Sequence, residues 1–587
     1  MADDGSDAHS SDQAPETTKA DHNSRKRRRT AHACDVCRNR KTRCDGRTPR
    51  CTTCKVSNLE CTYAMETVAK GKSDLILAAV LRMERFLEQM DSKINMTPDL
   101  SALRAVSRDT SSPIAPYSMS SGQKDNVEDP FHNWLQTLQN ASLSRLHTSS
   151  TESILDWPHF DSYAEIRHRQ NVSIFNLEQA RPLLSGNWQT PMIPFADASE
   201  VSKIVKAFQQ NINFWYPTMA KSIIEPLKAR LVTGQLGNDC DSCLALLLMA
   251  LGCACEAASS ALQEDPDPTR ANLQSQRRRM GDMYFESAVS RMHIAYQEIS
   301  RSALHCLLFT ALYYAFSQRP LQAWSSINAT ATKCRVLLSY KPVGTTSDDE
   351  ECTRRIFWSC FILESDYLAE LSALPLSGIA NMESSVPLPG HCHTHDSIVE
   401  EERSALYFLA CLSIRRLLNR VHHLLYSKDT GASLDDRRFP DMVAELDHQL
   451  EDWRELLPPS FQFALDTQPT PNQQAGFLRQ RYLTCRSVIY RPYLMWMLAA
   501  PRWVDQAFVL RRVDRMAAAM FILLAGYRVP GVKPYIRPEA TMLGQHLRSL
   551  LTRWAAIPGD HRSPSVAQAI AWIEIAEGLI QDEASKA

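Results

Sequence analysis

Cys34-Asp-Val-Cys37-Arg-Asn-Arg-Lys-Thr-Arg-Cys44, then Asp-Gly-Arg-Thr-Pro-Arg, then Cys51-Thr-Thr-Cys54-Lys-Val-Ser-Asn-Leu-Glu-Cys61 is one pattern, Cys-x2-Cys-x6-Cys, written twice. Between its ends the sizeable apolar side chains are Val36, Val56 and Leu59, too few to make a core. A metal must supply the stability that burial cannot. The six thiolates of this stretch cannot give four separate ligands to each of two zinc ions. Two bridging thiolates solve the arithmetic and give both ions a tetrahedral sulfur shell. Every coordination position is then filled, so none remains to activate water. The two zinc ions are structural.

The charge around the cysteines names the partner. The whole chain of 587 residues has a formal net charge of -1, yet Ser24 to Lys55 holds twelve Lys/Arg against Asp35 and Asp45. Such a block in a neutral protein implies a polyanion. Arg25, Lys26, Arg27, Arg28 and Arg29 fit both a nuclear-import signal and a contact to backbone phosphate, against the plain alternative of a solvated charge run. The N-terminus is polar and acidic without an apolar h-region, so no secretory signal is expected. The longest apolar run, Leu244 to Cys255, is too short to span a bilayer and reads as a buried core helix, with no membrane partner. An intracellular, reducing setting makes the cysteines thiols or metal ligands, and a disulfide knot is set aside.

Residues 31–63 resemble the six-cysteine zinc binuclear cluster of fungal transcription regulators. That resemblance implies that Cys34 and Cys51 bridge the ions, with Cys37, Cys44, Cys54 and Cys61 completing the ligand set. It also implies a short helix after the second cysteine that enters the major groove over a CGG-type triplet of double-stranded DNA. The family's base-contacting positions fall on Arg40 and Lys41, its phosphate contacts on Arg38 and Arg43, and its loop proline on Pro49. Physical chemistry agrees on its own terms, because Arg and Lys donate well to guanine O6 and N7. For Arg38, Arg43, Arg47, Arg50 and Lys55 the preferred reading is phosphate attraction without sequence readout.

Downstream, Ile76, Val80, Met83, Leu87, Met90 and Ile94 recur at alternating four- and three-residue steps, an a/d stripe for a short parallel coiled coil. The resemblance places a homodimerising helix at this position. Leu75, Leu77 and Leu81 lie off the stripe, so docking of the helix against the larger domain stays open as the alternative. Residues 97–126 are Ser/Pro/Asp-rich without periodicity and read as linker.

From about residue 200 helical periodicity persists almost to the end, and strand-like alternation is scarce. The expected fold class is all-α: a small zinc cluster, a short coiled coil and a large helical domain. Candidate helices are 200–213, 241–261, 275–299, 301–317, 321–338, 352–373, 402–426, 440–456, 475–499, 503–526, 536–554 and 564–582. Arg354-Arg-Ile-Phe-Trp-Ser359, Leu363-Glu-Ser-Asp366, Leu374-Pro-Leu-Ser377, Val386-Pro-Leu-Pro389, Trp453 with Leu456-Leu-Pro-Pro459, and Tyr490-Arg-Pro492 resemble the regulatory middle region of the same family. That resemblance implies an all-helical domain that controls activity, in some members through a small-molecule effector.

Other groupings carry less. Cys240, Cys243, Cys253 and Cys255 lie in or beside an apolar run, where small buried thiols are ordinary core residues. His391-Cys-His-Thr-His395 reads as a solvated loop rather than a metal site. Phe309, Tyr313, Tyr314, Phe316 and Trp324 fit core packing better than an effector pocket, and Arg354 and Arg355 fit structural ion pairs. No G-x-S-x-G, P-loop or H-E-x-x-H motif occurs, so no catalytic residue is assigned.

The resulting organisation is an acidic tail and import segment (1–30), a zinc cluster (31–63), a connector (64–73), a coiled coil (74–95), a partly disordered linker (96–198) and a helical regulatory domain (199–587). The expected function is a nuclear, sequence-specific regulator of RNA polymerase II transcription, an activator that engages the transcription machinery. A repressor of the same build is the rival within this class. A helical enzyme with a zinc appendage and a zinc-buffering protein are the rivals outside it.

Overall fold

The computed structural model describes residues 37, 40, 42, 44 and 50–57, then 147–157, 160–161, 174–182, 184 and, with interruptions, 192–585, the longest interruption being 500–538. The chain divides into two compact units, Met1–Asp109 and Thr110–Ala587. The described part of the first unit contains one helix, α1 (Thr52–Val56).

The second unit begins with two short helices, α2 (Thr151–Leu155) and α3 (Ile174–Gln179). It continues through α4 (Ala198–Gln210), α5 (Ile212–Trp215), α6 (Lys221–Thr233), α7 (Cys240–Ala261), α8 (Pro268–Val289) and α9 (Met292–Gln297). Then come α10 (Arg301–Phe316), α11 (Pro320–Ser339), α12 (Ser347–Glu370), α13 (Ile398–Tyr426), α14 (Phe439–Glu455) and α15 (Gln473–Ala499). A last pair, α16 (Glu539–Ala555) and α17 (Pro564–Ser585), packs together. Among the described residues there is no strand, only an isolated antiparallel bridge between His147 and Ser427. The fold is all-α, as the periodicity predicts.

The expected helices recur with shifted ends, and three differences have physical causes. The segment 275–299 is two helices, because α8 stops at Val289 and Arg291 caps α9 without a side-chain bond. Helix α6 has no counterpart in the periodicity: Pro226 falls inside it, and only Ile224 and Leu227 are buried. It ends on Gly234 at φ 69°, the left-handed turn that glycine adopts freely. The span 96–198, read as a partly disordered linker, contributes core on its described residues, since Ile154, Leu155, Trp157 and Phe160 are buried. The segment 503–526 lies outside the described residues.

Helix α7 is the axis of the domain. Leu244 through Leu251 are all buried, and a helix that is apolar all round belongs in a core. It is long and apolar enough to cross a membrane, but 78% of that window is buried under α4, α8 and α10. Gly252 lets α4 cross against it: a Cβ there would meet the Ile204 carbonyl and come within 2.6 Å of its Cγ2. Backbone cannot yield as a flexible side chain can, so Gly252→Ala is expected to cost about 1–3 kcal/mol. A lower urea midpoint at unchanged slope measures it.

Helix α12 is the second organiser. Thr346 and Asp349 close a capping box at its start. Glu351 accepts from Arg354 Nη1 at 2.5 Å and from Arg355 Nε at 2.9 Å, the structural ion pairs expected for these arginines. Arg355 also donates to the carbonyls of Pro217 and Gly390, and Trp358 Nε1 to that of Pro387. These bonds tie the Pro-rich 386–390 segment to the helix. Near the other end, Asp366 Oδ1 lies 2.9 Å from Arg415 Nη1 on α13, and Asp366 Oδ2 lies 2.7 Å from Arg481 Nη2 on α15. Arg415 donates again to Asn419 Oδ1, whose amide nitrogen donates to Ser365 Oγ. Burial alone would raise the Asp366 carboxyl, and the guanidiniums of Arg481 and Arg415 overcome it, holding the group below the usual carboxylate range.

Candidate nucleic-acid interface and its metal centre

In the first unit, burial and sulfur coincide. Cys37, Cys44, Cys51 and Cys54 are buried, whereas Val56 is 82% exposed. An apolar residue left in water beside four buried thiols means that the sulfurs are the core. Cys51 caps α1: its Sγ accepts from the Cys54 backbone N–H at 3.3 Å and its carbonyl from Lys55 N at 2.9 Å.

The geometry fits zinc. Cys37 Sγ lies 3.6 Å from Cys51 Sγ and 3.8 Å from Cys54 Sγ. Cys37, Cys44 and Cys51 offer ligand atoms that all lie within 4.8 Å of one another. A tetrahedral site with Zn–S bonds of about 2.3 Å has sulfur–sulfur edges of about 3.8 Å. Cys37, Cys44, Cys51 and Cys54 would therefore hold the ions, with Cys51 close to ligands from both halves of the repeat. Cys34 and Cys61, the remaining members of the expected set, lie outside the described residues.

The turn from Cys37 is closed by Thr42 N donating to the Cys37 carbonyl at 3.0 Å. It carries Arg40 at its exposed surface, while Arg50 and Lys55 are exposed beside Cys51 and Cys54. Cationic side chains held in water by a rigid sulfur core are what a phosphate backbone or a base edge can meet. Of the other DNA-contact residues expected from sequence, Arg38, Lys41, Arg43 and Arg47 lie outside the described residues. So do the import segment Arg25 to Arg29 and the dimerisation stripe from Ile76 to Ile94.

The competing groupings resolve into structure. Cys253 and Cys255 have their thiols pushed up to about 12 by burial, the wrong direction for a metal ligand at neutral pH. Cys243 donates to the Ala288 carbonyl and Cys306 to that of Cys240. Phe309 and Tyr313 are buried core, and Tyr313 stacks on Phe285 at 4.1 Å between centroids. His391 to His395 lie outside the described residues.

Residues 32–69 match the fungal Zn(2)-Cys(6) binuclear cluster domain, and residues 205–455 match the fungal specific transcription factor domain. The chain belongs to the fungal zinc cluster transcription factors. It is a DNA-binding regulator of transcription whose cluster takes two zinc ions. Among its relatives is ecdB of Aspergillus rugulosus, named as a transcription factor and 26% identical over 490 residues, which cover 79% of this chain and 78% of that protein. The nitrogen assimilation transcription factor nit-4 of Neurospora crassa is 22% identical over 536 residues, covering 81% of this chain but 47% of nit-4. The citrinin biosynthesis transcriptional activator mrl3 of Monascus ruber is 39% identical over 64 residues, 11% of this chain and 13% of that one. No solved structure matches the chain.

Sequence reasoning gave no role to two buried polar centres of the second unit. One gathers His147, Ser149, His422 and Arg491; the other gathers Glu178, Ser563 and Ser565. Each joins residues hundreds of positions apart, and the only local hint was the mixture of aromatic and polar residues between 127 and 195.

Proposed function

We propose that this chain acts in the nucleus as a homodimeric activator that reads CGG-type half-sites in double-stranded DNA. What supports the reading most is the buried sulfur cluster at zinc-like spacing with Arg40, Arg50 and Lys55 exposed around it. In this reading Lys41 and Arg40 donate to guanine edges, while Arg38, Arg43, Arg47 and Lys55 hold phosphates. The helix at 74–95 pairs two modules through Ile76, Val80, Met83, Leu87, Met90 and Ile94, so half-site spacing follows from connector length. Arg25 to Arg29 direct import. The helical domain receives a metabolic effector or protein signal and passes it to the transcription machinery. The word activator in the name of the mrl3 relative favours that sign over repression.

The test is a binding series on the full chain with paired-CGG and scrambled duplexes at fixed salt. Lys41→Ala is expected to lose on the order of 1–3 kcal/mol on CGG sites and little on scrambled ones. Equal weakening on both would reassign Lys41 to a phosphate contact. One chain per CGG pair would remove the dimer, and a paired-CGG reporter that falls when the protein is expressed would reverse the sign of regulation.

A further inference from the structure

Three guanidiniums converge on the turn between α10 and α11. Arg278 on α8 donates through Nε to Asp282 at 3.0 Å and through Nη2 to Ser317 Oγ at 3.3 Å. Arg181, just beyond α3, pairs with Glu178 at 3.2 Å and donates to the Gln318 carbonyl. Arg319 lies in the turn itself and donates through Nη1 to the Pro182 carbonyl at 2.6 Å. Arg319 is 1% exposed, Arg278 8% and the side chain of Arg181 5%, so all three charges are buried.

Their charge is not balanced. The carboxylates paired with this group are Glu178 and Asp282, two against three. Glu178 is spent on Arg181, Ser563 and Ser565, and Asp282 on Arg278 and the Tyr313 hydroxyl. Arg319 Nε and Nη2 are buried without a hydrogen-bond partner. Among the described residues no other side chain leaves two buried polar atoms bare. Nε and Nη2 share one edge of the guanidinium, the fork whose two parallel N–H bonds match a carboxylate or phosphate. Burial, then the Arg181 charge, push Arg319 down to about 10, which still leaves it a cation at neutral pH.

The backbone is strained at the same place. Gln318 sits at φ 56°, and among the described residues it is the one non-glycine residue with positive φ. Arg181 on its carbonyl and the Trp554 carbonyl of α16 on its side-chain amide hold it there. Helix α11 then starts after Arg319 without a side-chain cap, so the positive end of its dipole adds to the cluster.

We propose that the turn Ser317–Arg319 binds a compact oxyanion, the carboxylate or phosphate group of a small molecule, gripped by Arg319 Nε and Nη2 with the charges of Arg181 and Arg278 beside it. A negative charge there balances the third guanidinium and pairs the bare edge. That edge is shut off from water, so the anion enters as the turn shifts, and the strain at Gln318 makes this turn the part that yields. The site's regulatory meaning rests on the reading of the helical domain as the receiver of an effector. Binding itself is scored without DNA, so the two readings fail separately.

Hydrogen–deuterium exchange on the full chain at pH 7.5 tests this, with inorganic phosphate and acetate each compared with chloride at equal ionic strength. Protection of peptides spanning 314–325 is expected to rise about 10-fold once the anion stands at about ten times its Kd, while α7 is unchanged. A rise in phosphate alone assigns the ligand a phosphate group and a rise in acetate alone a carboxylate; either supports the site, as does a rise in both. No rise over chloride in either arm up to about 100 mM overturns it. So does a rise that α7 shares, which would be general stabilisation. Arg319→Lys keeps the charge and a donor for the Pro182 carbonyl but has no second N–H edge, and its response is expected to fall below about 2-fold. Arg278→Gln removes a neighbouring charge and is expected to need several times more anion for the same protection. A wild-type response in both variants would place the anion elsewhere and overturn the assignment.

Discussion

Removing zinc from the full chain is expected to abolish specific DNA binding while leaving the helical domain folded. In the described part of the first unit the buried side chains are Cys37, Cys44, Cys51 and Cys54, and the one sizeable apolar residue, Val56, faces water. Nothing there replaces the metal, whose binding supplies about 10–16 kcal/mol in zinc modules at neutral pH. Titration with a strong chelator, followed by native mass spectrometry, gel shift and far-ultraviolet circular dichroism, should show two zinc ions lost together with binding and only a small loss of helical signal. Cys51→Ala should match chelation, because Cys51 both caps α1 and sits 3.6 Å from Cys37 Sγ. Specific binding that survives chelation would refute a metal-held module. A helical signal that collapses with the zinc would tie the second unit to the metal.

The second large effect is expected from Asp366→Ala, at about 3 kcal/mol of lost stability. Removing one partner of a buried ion pair costs about 3–5 kcal/mol, because the remaining charge is stranded. Here Arg415, with 2% of its side chain exposed, loses its carboxylate, and Arg481 loses both of its contacts to Asp366. Asp366 is itself 34% exposed, which places the effect at the lower end of that range. Asp366→Asn keeps the volume and should recover only part of the loss, since an amide oxygen can accept from one arginine but brings no charge. Chemical denaturation of the three proteins checks the order. If Asp366→Asn is as stable as the wild type, the cluster acts by hydrogen bonding alone.

What the sequence disclosed divides along chain distance. The cysteine repeat was legible because its meaning is local arithmetic: six thiols at two matched spacings in a segment with too few apolar residues for a core. Helix α7 was legible because eight consecutive positions, Leu244 to Leu251, are apolar or small, and no surface helix tolerates that. Helix α6 was not, because Pro226 interrupts a pattern that buries only two side chains. The resemblance drew attention to Asp366, but not to its partner Arg481, which lies 115 residues away. Ser149 and His422 are separated by 273 positions, and neither periodicity nor composition marks such a pair. The reading of Lys41 and Arg40 as base contacts rests on motif position and charge, since a basic side chain carries no local sign of whether it reads a base or a phosphate.

Glu178 imposes an order on biosynthesis. Its fully buried carboxylate accepts from Ser563 and Ser565 at the start of α17, across a chain separation of 385 residues. At about 5–20 residues per second, the ribosome needs roughly 20–80 s after making Glu178 before those serines exist. During that interval the Glu178 carboxylate has Arg181 beside it but not its two serine donors, and an apolar surface awaits α17. The second unit can therefore close only after α17 has been made. The waiting nascent chain is the form of this protein most in need of chaperones, and a message cut short before α17 would leave it in that form permanently.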